Sequence, residues 1–211
     1  MDLRLRRGSR QALLLNSPGD ADLTGELAQL ANARYAPESA TDGSTLTVRR
    51  SPESLMVFTT LVEARQAVNI AATSAQRLMS IYTPDLEPDL YDQTAFLEIV
   101  KHFVLARSFS KVRVLLVEPT RVMRDSNRFV AMGRRLSSCI DIRYVAAQST
   151  QRASAYLIAD DRAITYRMRA DTWDGIADFN NPRVAKLYLT EFDTVWNASA
   201  PEQGLRVARR V

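Results

Sequence analysis

The feature that most limits the possible folds is an alternation of helix-like and strand-like segments between Thr59 and Asn197. The run Val112–Val117 is almost continuously apolar, which is typical of a strand that is covered on both faces of a parallel sheet. Segments with apolar residues three and four apart precede and follow this run, and they indicate helices packed on the sheet. The sequence therefore predicts an α/β fold with a mixed, mainly parallel sheet and helices on both faces.

The same patterns give approximate bounds for each element. After the third strand the pattern changes, because Ala155–Ala159 and Ala163–Met168 flank the short turn Asp160-Asp161-Arg162 and predict an antiparallel hairpin near the end of the chain. The remaining predictions are helices over about 59–77, 91–107, 121–137 and 182–197, and strands over 78–83, 112–117 and 140–145.

Three regions follow from this reading. Residues 1–58 have a patchy pattern with one short amphipathic helix, and we expect an appendage with a mobile loop near residues 37–44. Residues 59–197 form the main α/β domain. Residues 198–211 end in a basic stretch and are predicted to be a flexible tail.

The composition is that of a globular domain, with 46% hydrophobic and 25% charged residues and a formal net charge of +4. Three of the 28 basic residues are lysines, so 25 are arginines, which match phosphate groups bidentately. This excess of arginine over lysine is compatible with anion binding but does not require it. No run approaches the roughly 18 apolar residues of a membrane span, and the basic start is followed by only a short apolar run. We therefore expect a cytoplasmic protein without a membrane span.

The order of elements, together with the hairpin that Asp160-Asp161 closes, resembles a single phospholipase D repeat over about residues 59–197. The segments IYTPDLEPDLYD, VRVLLVEPTRVMRDSNRFVAMGRRLSSCIDIR and AYLIADDRAITYR also resemble a bacterial phospholipase D-like domain of unknown function. Members of that group are often encoded beside, or fused to, GNAT-type acetyltransferases. The resemblance therefore implies that the domain corresponds to one half of a phospholipase D, and it suggests a GNAT-type acetyltransferase as a partner.

Active members of the phospholipase D superfamily carry His-x-Lys-x-x-x-x-Asp on the first strand of this hairpin. The histidine attacks phosphorus and the lysine holds phosphate oxygens, and two such repeats meet at one site. A chain with one repeat is thereby expected to form a homodimer. Aligning the aspartate with Asp160 or Asp161 places the following residues at the histidine and lysine positions: Ala153 and Ala155, or Ser154 and Tyr156.

Neither alignment supplies an imidazole or an ammonium group, so the sequence argues against phosphohistidine chemistry. The one histidine of the chain, His102, falls inside the second predicted helix without a paired carboxylate or cysteine motif, and it is predicted to lie on the helix surface. The motifs of phosphate-binding loops, dinucleotide-binding folds, serine hydrolases and Cys-x-x-Cys sites are also missing. We predict a non-catalytic protein with no cofactor and no metal.

The first candidate binding surface is the remnant of the phospholipase D crevice. It lies at the carboxyl end of the first parallel strand, where α/β sheets usually bind ligands, and we predict that it takes a partner protein or a small anionic ligand. For the aspartates at this surface, a role in turns that bond nearby amides is the open alternative. The candidate residues are Asp85, Ser154, Tyr156, Asp160, Asp161, Arg167 and Arg169.

Arg167 carries the most specific expectation. Period-two geometry places Arg167 on the face of its strand opposite Ile164 and Tyr166, so it points toward solvent or toward the crevice. A buried guanidinium needs a paired carboxylate. We therefore predict that Arg167 contacts an aspartate at the mouth of the crevice and takes the place of the missing lysine as an anion holder. The candidate partners are Asp85, Asp160 and Asp161.

The second candidate surface is a stripe of arginines on the third predicted helix. Arg121, Arg124, Arg128 and Arg135 are spaced by 3, 4 and 7 residues and so share one helix face. They form the alternative hypothesis, a nucleic-acid or anion surface. A solvated helix face is the other reading, and it is strengthened because no aromatic residue interleaves with the stripe to stack on bases.

Overall fold

The computed structural model describes residues 54–118, 120, 122, 127–145 and 153–201. By its internal contacts the chain divides into two compact units, Met1–Thr45 and Leu46–Val211, and all described residues belong to the second unit. The predicted mobile loop near residues 37–44 and the basic stretch at 202–211 lie outside the described residues.

The described residues form one sheet of eight strands in the order β1-β7-β6-β5-β2-β3-β4-β8. The strands are β1 (Leu55–Phe58), β2 (Leu78–Thr83), β3 (Lys111–Leu116), β4 (Ile140–Tyr144), β5 (Ala155–Ala159), β6 (Ala163–Arg167), β7 (Gly175–Asp178) and β8 (Ala200–Pro201).

Five named helices accompany these strands in the described part of the chain: α1 (Leu61–Ser74), α2 (Pro88–Tyr91), α3 (Thr94–Ala106), α4 (Arg128–Arg135) and α5 (Pro182–Ala198). Asparagine side chains fix where α4 and α5 begin, because Asn127 accepts from the amides of Phe129 and Val130, and Asn181 accepts from that of Val184. None of the helices in these described residues is long and apolar enough to cross a bilayer.

The mixed α/β fold with a late antiparallel hairpin is confirmed, but antiparallel pairing extends further than expected. Only β2–β3 and β3–β4 pair in parallel, while the other five pairings are antiparallel. The difference arises from three short strands that the sequence pattern does not reveal. Leu55–Phe58, which we had assigned to the N-terminal appendage, pairs with β7, and Ala200–Pro201, assigned to the tail, pairs with β4.

Helices cover both faces of the sheet, as predicted. One face carries an aliphatic core in which α1 alanines meet residues such as Met79, Ile81 and Leu157. The opposite face packs against α5 and is aromatic. There Tyr82 and Tyr156 are directly paired across β2 and β5 with their rings stacked at 5.0 Å, and the Tyr188 ring of α5 meets the Tyr156 ring at 5.4 Å.

Candidate functional site

The strand register brings three candidate segments to one end of the sheet, which we call the crevice end. Because β5 runs antiparallel to both β2 and β6, the carboxyl end of β2, the start of β5 and the end of β6 lie side by side. Ala155 is directly opposite Arg167, so their side chains leave the same face of the sheet. Arg167 therefore projects beside the position that one alignment assigns to the family's lysine.

Arg167 is buried at this end, and its guanidinium group is held by protein atoms. Its Nη2 forms an ion pair with Glu87, and the two side chains are only 5% and 8% exposed. Its Nη1 donates to the carbonyl oxygens of Ala170 at 3.0 Å and Thr172 at 2.9 Å. The Trp173 ring centre lies 5.2 Å from the guanidinium carbon, which adds a cation–π contact.

Glu87 is the carboxylate that pairs with Arg167, and it was not among the predicted partners Asp85, Asp160 and Asp161. The Thr83 hydroxyl donates to Glu87 Oε2 at 3.1 Å. Burial raises the pKa of Glu87, although Arg167 and Thr83 act in the opposite direction. The available signal was its position four residues after Thr83, in the loop that leaves a buried strand.

The turn that carries Glu87 is shaped by its neighbours. Asp85 Oδ1 accepts from the Glu87 amide at 3.1 Å, so Asp85 acts as a turn former in addition to its other contacts. Leu86 has a φ of 54° and is completely buried, which means that core packing holds this residue in the left-handed region. Burial, with the charge of Glu87 second, also raises the pKa of Tyr91 on the following helix.

The other residues of the predicted crevice are not brought together. Tyr156 faces the aromatic core below α5, opposite the side that Arg167 occupies. Ser154 is buried directly before β5 at the crevice end. Arg169 is exposed and pairs with Asp171, with Nη2 2.5 Å from the carboxylate. That exposed pair lowers the pKa of Asp171 through hydrogen bonding.

Asp160 and Asp161 lie at the opposite end of the same strands, because the hairpin turns beside the start of β2. The carboxylate of Asp160 accepts from three successive backbone amides, those of Gln76 at 2.9 Å, Arg77 at 2.8 Å and Leu78 at 2.9 Å. Asp161 pairs with Lys186 at 3.3 Å. Neither aspartate reaches the crevice end, so the placement of both in the crevice is corrected.

The predicted arginine stripe is described only in part, since Arg121 and Arg124 lie outside the described residues. Arg128 is bound to the loop before α3: its Nε lies 3.0 Å from Asp92 Oδ1 and its Nη1 lies 3.2 Å from the Thr94 hydroxyl. Arg135 is exposed at the end of α4. His102 is exposed on α3, as predicted. In the described ranges, no three His, Cys, Asp or Glu side chains cluster as metal ligands would.

Comparison with known proteins gives a family and a fold. A family model described as a domain of unknown function, DUF7931, matches residues 60–207. The phospholipase D family member Nuc from Salmonella typhimurium is similar at 18% identity and a TM-score of 0.50, over 71% of this chain and 97% of Nuc. NucT from Helicobacter pylori is similar at 10% identity and a TM-score of 0.51, over 70% of this chain and 98% of NucT.

A third similar structure is TrmBL2, an archaeal chromatin protein whose structure shows a mode of DNA binding. The identity is 12% and the TM-score 0.54, over 86% of this chain. The matched region spans 64% of the TrmBL2 chain, so that protein is substantially longer. No curated protein sequence is significantly similar to this chain. At these identities the similarity shows a phospholipase D-like fold and nothing about activity.

Proposed function

Because the chain belongs to the DUF7931 family and has a phospholipase D-like fold, we propose that it is a non-catalytic module that binds a partner protein at the crevice end of its sheet. The observation that carries the proposal is the buried ion pair between Arg167 and Glu87. It fills the place beside Ala155 where the family's lysine would hold a phosphate oxygen.

The ion pair also favours a protein over a small anion as the ligand. The Arg167 guanidinium is buried and already donates to Glu87 and to two backbone carbonyls, so an anion that took the place of Glu87 would have to displace a buried carboxylate. Removing one partner of a buried pair is strongly unfavourable.

A surface for a partner lies next to the crevice end, on the α5 face of the sheet. Val57, Ile176 and Tyr166 follow one another across β1, β7 and β6. Val57 is 46% exposed and Met168 is 55% exposed. We call Val57, Tyr166, Met168 and Ile176 the apolar strip.

The apolar strip suits a protein rather than a small ion. Exposed apolar groups that adjoin one another are a feature of interaction surfaces. Within the described residues β1 is the terminal strand of the sheet, and a terminal strand offers backbone groups to an added strand. The family resemblance suggests a GNAT-type acetyltransferase as the partner, and a second copy of the chain is the competing occupant.

The absence of catalysis is tested with the purified protein and bis-p-nitrophenyl phosphate. We expect no release of nitrophenol above the buffer rate. The proposal would be overturned by nitrophenol release that persists through repeated purification and disappears in Glu87→Gln. Such a result would mean that the crevice end is catalytically active. Isothermal titration with inorganic phosphate is the companion measurement, and we expect no heat of binding.

Partner binding is tested by titrating the protein with a GNAT-type acetyltransferase from the same organism. We expect Val57→Glu and Met168→Glu to weaken binding at least tenfold, because each places a carboxylate in the apolar strip. Leu105→Glu is the matched control, since Leu105 is 64% exposed on α3. Equal loss in all three variants, or no binding by the wild type, contradicts the proposed surface. A stable dimer that Val57→Glu dissociates would assign the strip to a second copy instead.

The alternative, nucleic-acid binding through the arginine stripe, is supported less by the described half of that stripe. Arg128 is exposed but already contacts Asp92 and Thr94, which leaves Arg135 as the cation of the stripe that no carboxylate pairs among the described residues. Band shifts with Arg121→Ala/Arg124→Ala test this alternative. A complex that these substitutions abolish would place nucleic acid on the helix face.

A further inference from the structure

We propose a second binding surface at the opposite end of the sheet, where a row of cations and one exposed aromatic ring bind a single-stranded nucleic acid. We call this surface the basic rim. The rim shares one residue, Arg135, with the predicted arginine stripe. It lies at the end of the sheet opposite the crevice end. The rim consists of Arg77, Arg107, Phe109, Lys111, Arg134, Arg135 and Arg162.

The rim follows the amino ends of neighbouring strands. Leu78 of β2 is directly paired with Lys111 of β3, so Arg77 stands beside Lys111, and the Lys111 amide donates to the Arg77 carbonyl at 3.0 Å. Arg134 and Arg135 end the helix that precedes β4, and Arg162 closes the hairpin between β5 and β6.

These positions form a row. Adjacent strands lie about 4.8 Å apart, so the row from the hairpin through β2 and β3 to β4 is about 15 Å long. Several consecutive phosphates of a nucleic-acid strand extend over such a length.

The positive charges of the rim are not cancelled locally. Arg77, Arg134, Arg135 and Arg162 are all exposed, and no carboxylate of the described residues pairs with any of them. The two aspartates of the hairpin turn are engaged elsewhere: the Asp160 carboxylate accepts three backbone amides, and the Asp161 carboxylate pairs with Lys186. Six cations therefore face solvent. The two aspartates at this end that no cation of the described residues pairs, Asp160 and Asp178, accept hydrogen bonds from backbone amides and from the Asn181 side chain.

A purely structural role explains only part of this charge. The Arg107 Nη1 donates to the Gln76 carbonyl at 3.2 Å, and the Lys111 ammonium donates to the Ser138 carbonyl at 2.5 Å. Each contact uses one donor of a side chain that has several. The carboxyl ends of α1, α3 and α4 also lie at this end, and each contributes about half a negative charge. That total is far smaller than the six positive charges.

The exposed ring of Phe109 favours a single-stranded nucleic acid over other polyanions as the ligand of the rim. Phe109 is 57% exposed in the loop between Arg107 and Lys111, so a ring is flanked by two cations. Proteins that bind single strands combine a basic groove with rings on which bases stack. A lipid surface would favour a larger apolar face, and besides Phe109 this region exposes only Leu105 as a large apolar side chain in the described residues. Five of the six cations are arginines, which suits phosphate.

The test is fluorescence anisotropy of the full chain with a labelled oligothymidine of about 20 nucleotides in 50 mM salt. We expect binding whose logarithm falls with the logarithm of salt at a slope of about −0.7 for each phosphate contact. Arg134→Ala/Arg135→Ala should make that slope less negative by about 1.4. Phe109→Ala should weaken binding about 5- to 100-fold while it leaves the slope unchanged, because stacking involves no counterion release.

Lys101→Ala is the matched control, because Lys101 is an exposed cation on α3 that pairs with Glu98 outside the rim. Basic residues outside the substituted positions are identical in all variants, so differences between variants report on the rim. No complex at low salt, or a complex that the rim variants leave intact, overturns the proposal. Equal binding of a duplex with no effect of Phe109→Ala overturns the single-strand assignment. Binding to vesicles with anionic phosphatidylglycerol, but not to the oligonucleotide, assigns the rim to lipid instead.

Discussion

The two ends of the sheet differ in how their cations are held. At the crevice end the central cation, Arg167, is buried against Glu87. At the other end six cations remain exposed, and Asp160 is turned inward to backbone amides. The crevice end is thus closed by an internal contact, whereas the opposite end presents charges that no carboxylate of the described residues pairs.

This contrast separates an arginine with a structural role from arginines that are available for the proposed binding. A buried arginine that is paired with a carboxylate and bonded to two backbone carbonyls contributes to the folded state. Exposed arginines that lack a carboxylate contribute little to folding and are available for binding. We therefore expect substitutions at the crevice end to change stability first, and substitutions in the basic rim to change binding first.

The largest effect should come from Arg167→Met. This substitution leaves the Glu87 carboxyl buried without its cation, and we expect the free energy of unfolding in urea to fall by about 3–5 kcal/mol. Arg167→Met/Glu87→Leu should recover most of that loss, since no buried charge then remains unpaired. Arg169→Met is the control, because its ion pair is exposed, and it should not change the urea midpoint. A loss below about 1 kcal/mol in Arg167→Met would show that the pair contributes as little as a surface pair does.

Asp160→Ala should have the next largest effect, at the other end of the sheet. It removes the acceptor of three backbone amides and places alanine at a φ of 56°, so we expect a loss of about 2 kcal/mol in urea unfolding. Asp160→Asn should lose less, because asparagine tolerates this conformation and still accepts a hydrogen bond. Similar losses in Asp160→Ala and Asp161→Ala would contradict the assigned anchoring role.

A smaller effect on stability is expected from pH. It should distinguish the buried Glu87 carboxyl group from exposed carboxyl groups. Burial raises the pKa of Glu87 above the ordinary value of 4.5. Its contribution to stability is then complete below pH 4.5 and is lost as the pH rises through the raised pKa. We expect the unfolding free energy of the wild type, relative to Glu87→Gln, to decrease as the pH rises above 4.5. An increase would mean that Arg167 outweighs the effect of burial.

The smallest effect on stability should come from Arg134→Ala/Arg135→Ala. Both side chains are exposed and lack a carboxylate partner in the described residues, so we expect an unchanged thermal midpoint by circular dichroism. The same variant should bind the oligonucleotide more weakly, with the less negative salt slope given above, in the anisotropy experiment. A fall of several degrees would show that these arginines stabilise α4, and the contrast between the two ends would then fail.

Local patterns were sufficient for much of the fold. The strand Leu78–Thr83 and the strand Ala155–Ala159 have the predicted bounds, because apolar runs and period-two alternation are properties of neighbouring residues. The strands Leu55–Phe58 and Gly175–Asp178 were missed. Each has only four residues, which is too short to establish a period, and their pairing with each other joins residues more than 100 positions apart.

The candidate site was less predictable for a related reason. The need of Arg167 for a carboxylate followed from the cost of burying a lone charge, and this expectation is met by an ion pair. Its partner was not identified correctly, since Glu87 lies 80 residues away and the loop geometry after β2 selects it over Asp85. Asp160 and Asp161 were placed in the crevice together with the hairpin that resembles the phospholipase D repeat, whereas the hairpin turn carries them to the opposite end.

The sequence by itself determined the order of helices and strands, the α/β class and the absence of a histidine or lysine from the hairpin, because these depend on residue type and local spacing. Only the tertiary structure decided that Glu87 pairs with the buried Arg167. It alone also places six cations that are separate in sequence along one end of the sheet. Both outcomes depend on strand register and loop geometry, which bring together residues that no local pattern connects.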